Sequence, residues 1–294
     1  MRDPTEADMT EAVLAELKST DARFRQVATS LIRHLHAFVR EVELTESEWM
    51  EAIRFLTAVG QKCDAKRQEF ILLSDTLGVS MLVDAINHQK PPGATESTVF
   101  GPFYLPGAPE LANGANIAEG VAGEPAFFSG RVTDLTGKPI AGAMLDIWGV
   151  DGEGWYDVQL PHVKKMQVRG KIKTDAQGGY RFRSVKPVSY SIPTDGPVGT
   201  MLAKMGRHPN RPAHEHVMIS APGYKTVITH IFVAGDPYLE SDAVFGVKNS
   251  LIADFVRHPP GTAPDGSRVD VPYYTVNYDF GLEPEMASLN ERVR

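Results

Sequence analysis

The sequence predicts an α+β chain, with a helical segment in front and an all-β sandwich behind. Two observations predict it. The first 90 residues hold only Pro4, Gly60 and Gly78, whereas 20 prolines and 24 glycines follow, and these are the residues that break helices and make turns. The hydrophobic pattern changes as well, from spacings of three and four to short runs bounded by turn signals. The boundary is set at 1–105 for the helical part and 106–294 for the sandwich.

The elements follow in order. Phe24, Val27, Leu31, Leu35 and Phe38 recur as one buried face of a helix requires. Thr45 followed by Glu48 is a capping box, with Leu44 placed to staple onto a helix carrying Trp49, Ile53 and Phe55. A further helix is expected from about Asp64 to Ile86. So much apolar surface on three or four helices suggests packing against another domain or subunit. Beyond residue 91 no helix is expected. Ala126–Thr133 and Ala143–Trp148 read as strands about the turn Asp134-Leu135-Thr136-Gly137, and Lys171–Thr174 and Tyr180–Ser184 repeat the arrangement around Asp175–Gly179. His214–Ser220 and Thr226–Val233 flank Ala221-Pro222-Gly223. Short strands at this spacing argue for a sandwich.

Composition excludes several function classes. The chain has 294 residues, 42% hydrophobic and 23% charged, enough for a well-buried core. A formal net charge of -7 with no Lys/Arg-rich run gives no electrostatic reason to expect nucleic acid. No apolar stretch approaches the roughly 20 residues of a membrane span, so a membrane protein is not expected. The acidic N-terminus lacks a signal-peptide core. Cys63 is the only cysteine, which excludes an intrachain disulfide or a cysteine-cluster metal site. A cytoplasmic location is the expectation.

The sharpest local signal is Arg211-Pro212-Ala213-His214-Glu215-His216. On a strand, side chains alternate, so His214 and His216 project from one face and Glu215 from the other. Two imidazoles so placed suit a metal, and Zn, Cu, Fe and Ni are all compatible; two unrelated histidines at a strand start would look the same. Tyr156 and Tyr190 each lie just past a strand, Tyr156 in a glycine-rich loop. Phenolate is a hard oxygen donor whose usual pKa of about 10 is lowered by a bound cation, yet buried structural tyrosines are common. With nine tyrosines in the chain, spacing alone selects neither. His34, His36, His88, His162 and His258 lack a matched partner, and His208 is placed only to support a loop.

In this order, these segments resemble the intradiol ring-cleavage dioxygenases. That family places a tyrosine after its first sandwich hairpin, which Val132 through Trp148 resembles. It places a second tyrosine in a Phe-Arg-Ser-Val-x-Pro-x-x-Tyr context and follows it with Arg-Pro-Ala-His-x-His. The matches are Tyr156, Tyr190, His214 and His216. The resemblance implies Fe(III) bound by these four residues, and an aromatic diol or triol and O2 as substrates. It also implies that the helical part is a linker and dimerisation domain, giving a homodimer with a possible place for phospholipid in an apolar tunnel, and that the sandwich is catalytic. Glu69–Asp75, Thr98–Phe103, Pro193–Gly199 and Thr229–Tyr238 incline the likeness to the hydroxyquinol branch. His230, standing where catechol-type members usually carry Gln, inclines it the same way and is a candidate partner near Arg211.

By resemblance, Leu72, Asp75, Val99, Gly101, Pro102, Phe103, Ile192, Pro193 and Val244 line the ring pocket. Asp75 would accept a hydrogen bond from a third ring hydroxyl, unless it is a helix-surface carboxylate. Arg211 would stabilise negative charge on the ring, and Tyr190 would be the ligand that departs. The competing readings are a catechol or chlorocatechol 1,2-dioxygenase with the same chemistry, a Zn or Fe(II) enzyme built on the histidines alone, and a non-catalytic transthyretin-like binding module.

Overall fold

The computed structural model describes residues 5–64 and 67–285. The chain divides into two compact units between Ala58 and Val59. In the first lie α1 (Met9–Ala15), α2 (Ala22–Glu41) and most of α3 (Glu46–Lys62). α2 starts where the Asp21 carboxylate accepts a hydrogen bond from Phe24 N at 2.9 Å. The capping box of α3 forms as expected, with Thr45 N donating to Glu48 Oε2 (3.0 Å) and Glu48 N to Thr45 Oγ1 (3.3 Å). The expected burial of the α2 face is not found: Phe24, Val27, Leu31, Leu35 and Phe38 are all about half exposed. Among the described residues no helix is long and apolar enough to cross a membrane.

The second unit opens with α4 (Glu69–Thr76) and α5 (Val79–Asn87). The sequence suggested one helix here. Gly78, at φ +74°, divides it, because a left-handed residue ends a helix and turns the chain.

The strands then run β1 (Glu110–Leu111), β2 (Pro125–Asp134), β3 (Met144–Trp148), β4 (Arg169–Lys173), β5 (Gly179–Val185) and β6 (Tyr190–Ser191). After α6 (Pro197–Lys204) come β7 (Asn210–Arg211), β8 (His214–Ser220), β9 (Val227–Val233), β10 (Ile252–Ala253) and β11 (Val256–His258). The last are β12 (Gly261–Thr262), β13 (Arg268–Val269), β14 (Tyr273–Asn277) and β15 (Phe280–Leu282). α6 contradicts the expectation of no helix after residue 91. Pro197 sits in its first turn, where a missing N–H costs nothing, and the buried Glu69 carboxylate accepts from Val198 N at 3.3 Å.

Two sheets enclose the core. One has the order β1-β4-β3-β8-β9-β10, and in the other β2 lies between β14, β15 and β5. Leu145, Ile147, Val217, Ile219 and Ile231 from the first pack with Ala126, Phe128 and Phe182 from the second. The runs flanking Asp134–Pro139 and Asp175–Gly179 are therefore not hairpins. β2 and β3, like β4 and β5, belong to different sheets; only the residues just after the turn pair back onto β2, through the Thr133–Pro139 bridge and the Ile140 N–Val132 O bond. The turn itself forms, with the Asp134 carboxylate accepting from the amides of Thr136 and Lys138. After Ile140, whose amide donates to the Val132 carbonyl at 2.9 Å, the chain crosses to the other sheet at β3. β8 and β9 do form a hairpin, in register His216–His230.

Candidate active site

Alternation along β8 turns Glu215, Val217 and Ile219 into the core and leaves His214, His216 and Met218 on the outer face of the six-stranded sheet. Register does the rest. His216 stands opposite Trp148 on β3 and His230 on β9. Residues opposite one another in antiparallel strands bring their side chains together, and the His216 ring stacks on Trp148 at 4.7 Å and meets His230 edge-on at 4.1 Å. The short β6–β7 ribbon pairs Tyr190 directly with Arg211. Tyr156 enters from the loop after β3, where its amide donates to Gln159 Oε1 (3.0 Å) and its ring packs on Phe103 at 4.6 Å.

These elements bring four donor atoms into a closed ring. Tyr156 Oη lies 2.9 Å from His216 Nε2 and 3.1 Å from Tyr190 Oη; the two Nε2 atoms are 3.2 Å apart; Tyr190 Oη lies 3.4 Å from His214 Nε2. An ion about 2.1 Å from each donor would space neighbouring donors roughly 3.0–3.4 Å apart at bond angles of about 90–110°. Three edges of the ring fall in that range, and the Tyr156–His216 edge, at 2.9 Å, lies just below it.

The protonation states suit a cation too. His214 Nδ1–H donates to the Pro212 carbonyl at 2.7 Å, which fixes the tautomer and leaves Nε2 with its lone pair. Burial, then the Arg211 charge, push the His214 pKa down to about 3; burial, then His214, hold His216 well below its usual value. Both imidazoles are neutral ligands-in-waiting. Burial raises both phenols, Tyr156 well above its ordinary range, while Arg211 opposes the rise at Tyr190. Neither ionises near neutrality without a cation to stabilise the phenolate. His214, His216 and His230 also form a cluster whose ring nitrogens lie within 4.8 Å of one another, and both His230 nitrogens are buried without a partner. The donor set fits metal binding.

Arg211 is 3% exposed. Asp242 holds it from one side, accepting from Nε (3.0 Å) and Nη2 (3.2 Å), while Nη1 lies 3.1 Å from His214 Nε2. Asp242 keeps the guanidinium protonated despite its burial, so a fixed positive charge sits beside the ring of donors.

Beyond His216 lies a cavity of about 400 Å³ lined by Asp75, Ser80, Thr98, Val99, Phe100 and Gly101. A Cβ on Gly101 would stand 3.1 Å from His216 Cε1, so this lining glycine lies against the imidazole, although none of the four donors itself lines the cavity. Asp75 is 3% exposed, which overturns the helix-surface alternative; burial raises its pKa, opposed by a hydrogen bond from Ser80 and the Arg211 charge. Leu72 is buried one turn earlier on α4. Val244 donates its amide to Asp242 (3.3 Å), and the buried Ile192 follows Tyr190 by two residues. Leu72 and the half-buried Pro102 and Pro193 make no polar or ring contact with the four donors among the described residues.

Sequence reasoning missed Asp242 and the Arg169–Asp157 pair beside Tyr156, in which Arg169 Nη2 reaches Asp157 at 2.7 Å and the Phe103 carbonyl at 2.8 Å. Both pairings are long-range, and nothing local announces them. The other histidines stay outside the cluster: His36 faces Thr10, and His258 stacks on Tyr273.

Comparison with known proteins decides the family. The profile described as dioxygenase matches residues 99–284, and the one described as catechol dioxygenase N terminus matches residues 21–95. The 6-chlorohydroxyquinol 1,2-dioxygenase of Cupriavidus pinatubonensis is 52% identical over 97% of this chain and 100% of its own. The hydroxyquinol 1,2-dioxygenase of Rhodococcus opacus is 51% identical over 95% and 94%. The chain belongs to the intradiol ring-cleavage dioxygenases. Among solved members, the hydroxyquinol 1,2-dioxygenase of Pseudomonas putida superposes with a TM-score of 0.88 at 51% identity, covering 95% of this chain and 99% of the other. The catechol 1,2-dioxygenase of Pseudomonas arvilla gives 0.83 at 30% identity, covering 98% and 94%. A non-catalytic binding module is thereby set aside: this is a dioxygenase-family enzyme.

Proposed function

We propose that this dioxygenase opens hydroxyquinol (1,2,4-trihydroxybenzene) with O2 between its two adjacent hydroxyl-bearing carbons, giving 3-hydroxy-cis,cis-muconate, the enol form of maleylacetate. The observation that carries the reading is the closed ring of Tyr156, Tyr190, His214 and His216 donors in a chain about half identical to relatives named for hydroxyquinol cleavage. The four residues would hold Fe(III), two phenolates and two neutral imidazoles being a donor set for a hard, charged ion. When bound, ferric iron supplies Lewis acidity that draws electron density from a chelating aromatic diol.

The chain's own residues do the rest. Tyr190 accepts a proton from a substrate hydroxyl at its Oη and turns aside; the residue is partly exposed, whereas Tyr156 is fully buried. Arg211, protonated and aimed at the same space, stabilises negative charge on the ring as it ketonises. Gly101 leaves room for the ring edge, and Leu72, Val99, Pro102, Phe103, Ile192, Pro193 and Val244 form apolar walls that exclude water. Asp75 accepts the third hydroxyl. The helical segment through residue 105 serves as a linker through which two cytoplasmic subunits associate, with a phospholipid chain able to cover part of its apolar surface.

The visible spectrum of the iron-loaded protein tests this reading, recorded before and after anaerobic addition of hydroxyquinol. A tyrosinate-to-iron(III) band that shifts with substrate is expected. A protein that stays colourless and inactive after ferric reconstitution would sink it. Relative kcat/KM for hydroxyquinol, 6-chlorohydroxyquinol and catechol then separates this reading from a catechol or chlorocatechol 1,2-dioxygenase.

A further inference from the structure

One carboxylate outside the donor ring bonds to both residues that immediately precede Tyr190 and His214, to the hydroxyl of one and the amide of the other. Asp236 Oδ2 accepts from Ser189 Oγ at 2.5 Å and from Ala213 N at 3.0 Å, and its Oδ1 accepts from Tyr238 N at 2.9 Å. Ser189 immediately precedes Tyr190, and Ala213 immediately precedes His214. Asp236 itself lies just past β9, the strand that carries His230.

The two tyrosines are held differently. Tyr156 is fully buried, its amide is bonded to Gln159, and the neighbouring Asp157 is locked by Arg169. Tyr190 is partly exposed and sits on a two-residue strand. Its contact with His214 is the longest edge of the donor ring, at 3.4 Å. Besides the β6–β7 pairing of Tyr190 with Arg211, the Ser189 hydroxyl adds a side-chain link between the approach to Tyr190 and the approach to His214.

We propose that Asp236 is a positioning residue that holds the Tyr190 hydroxyl in reach of His214 through the Ser189 hydroxyl and the Ala213 amide. The backbone under Tyr190 is thereby fixed, and the phenol moves by its own side-chain torsions when substrate displaces it. The role toward iron rests on the function proposed above; the tether itself does not.

The test compares Ser189→Ala, Ser189→Thr and Asp236→Asn with the wild type in two states. In the metal-free full-length chain, nitration of Tyr190 and Tyr156 by tetranitromethane is followed by peptide mass spectrometry. Tyr190 should react about fivefold faster in Ser189→Ala and Asp236→Asn, through easier local opening, with Tyr156 unchanged and Ser189→Thr close to wild type. In the iron-loaded protein the same two variants should weaken or shift the tyrosinate band. Their kcat should fall about tenfold with a smaller change in KM, and Ser189→Thr should restore both. Wild-type nitration and an unmoved band in Ser189→Ala and Asp236→Asn overturn the proposal, whatever happens to Tm. If Asp236→Asn does not fold, Ser189→Ala, which removes one oxygen, decides alone. A wild-type chain without a band, but with Tyr190 nitration that still responds to Ser189, keeps the tether and removes the iron reading.

Discussion

At the scale of single residues, the site works by contrast between fixed charge and neutral donors. Arg211 holds its charge because Asp242 grips two of its nitrogens, which leaves the third directed at His214. Lysine keeps the charge but cannot make that planar fork. Arg211→Lys should therefore lower kcat by about 10²–10³ in steady-state assays of the iron-loaded enzyme, with KM changing far less; a kcat within a factor of two of wild type would remove Arg211 from the chemistry. The role proposed for Asp75 is in selectivity instead. Asp75 is buried and lines the same cavity as Gly101, the glycine that lies against His216. Asp75→Asn should cut the hydroxyquinol-to-catechol ratio of kcat/KM by about 10–100-fold, the value of one buried hydrogen bond to a substrate hydroxyl. An unchanged ratio would place the third hydroxyl elsewhere.

At the scale of elements, the second unit is joined by carboxylates reaching across long stretches of sequence. Glu69, fully buried at the start of α4, accepts from Arg67 Nε at 2.9 Å and from Val198 N in the first turn of α6. Arg67→Met strands that buried carboxylate and should cost about 3–5 kcal/mol by chemical denaturation. Arg67→Met/Glu69→Met should recover much of the loss, and equal losses in both variants would dismiss the ion pair as the cause. Arg67 Nη1 and Lys62 also hold Asp195, at 2.7 and 2.9 Å. Hydrogen bonds from Lys62 and then Arg67 lower the Asp195 pKa to about 2, against about 3.9 unfolded. A depressed carboxylate stabilises above its unfolded pKa and loses that contribution as pH falls through the folded one. The Tm gap between wild type and Asp195→Asn should be full above about pH 5 and close as the pH falls through about 2; because Asp195 is largely exposed, the gap should correspond to less than about 1 kcal/mol. Such contacts also mark what the sequence could reveal. The periodicity of α2 and the alternation of His214 and His216 are local and were legible. The cap of α6 by Glu69, the Arg211–Asp242 grip and the His216–His230 register depend on residues brought together only by folding. The turn at Asp134 was equally legible, but which sheet the chain entered after it was not, since a turn motif carries no information about the strand's next neighbour.

At the scale of the whole molecule, the question is what the α2 face is for. A 20-residue helix is about 30 Å long, and Phe24, Val27, Leu31, Leu35 and Phe38 lie along one side of α2, each about half exposed. Fully burying side chains of this kind contributes about 1.5–3 kcal/mol each, and an apolar patch of that extent on a protein surface marks an interface. In a homodimer such a face would pack against its own copy. Charge placed there should then separate assembly from chemistry, because every donor and pocket residue of the site lies beyond Val59. If the proposed dimer forms, Leu31→Glu/Leu35→Glu should sediment as a monomer at micromolar concentrations where the wild type sediments as a dimer. Iron loaded into that monomer should keep its tyrosinate band and a kcat within a few-fold of wild type. A wild-type chain that is already monomeric would sink the dimer. A variant that dissociates and also loses the band would mean that the assembly supports the site, and the helices would then be part of the catalytic architecture.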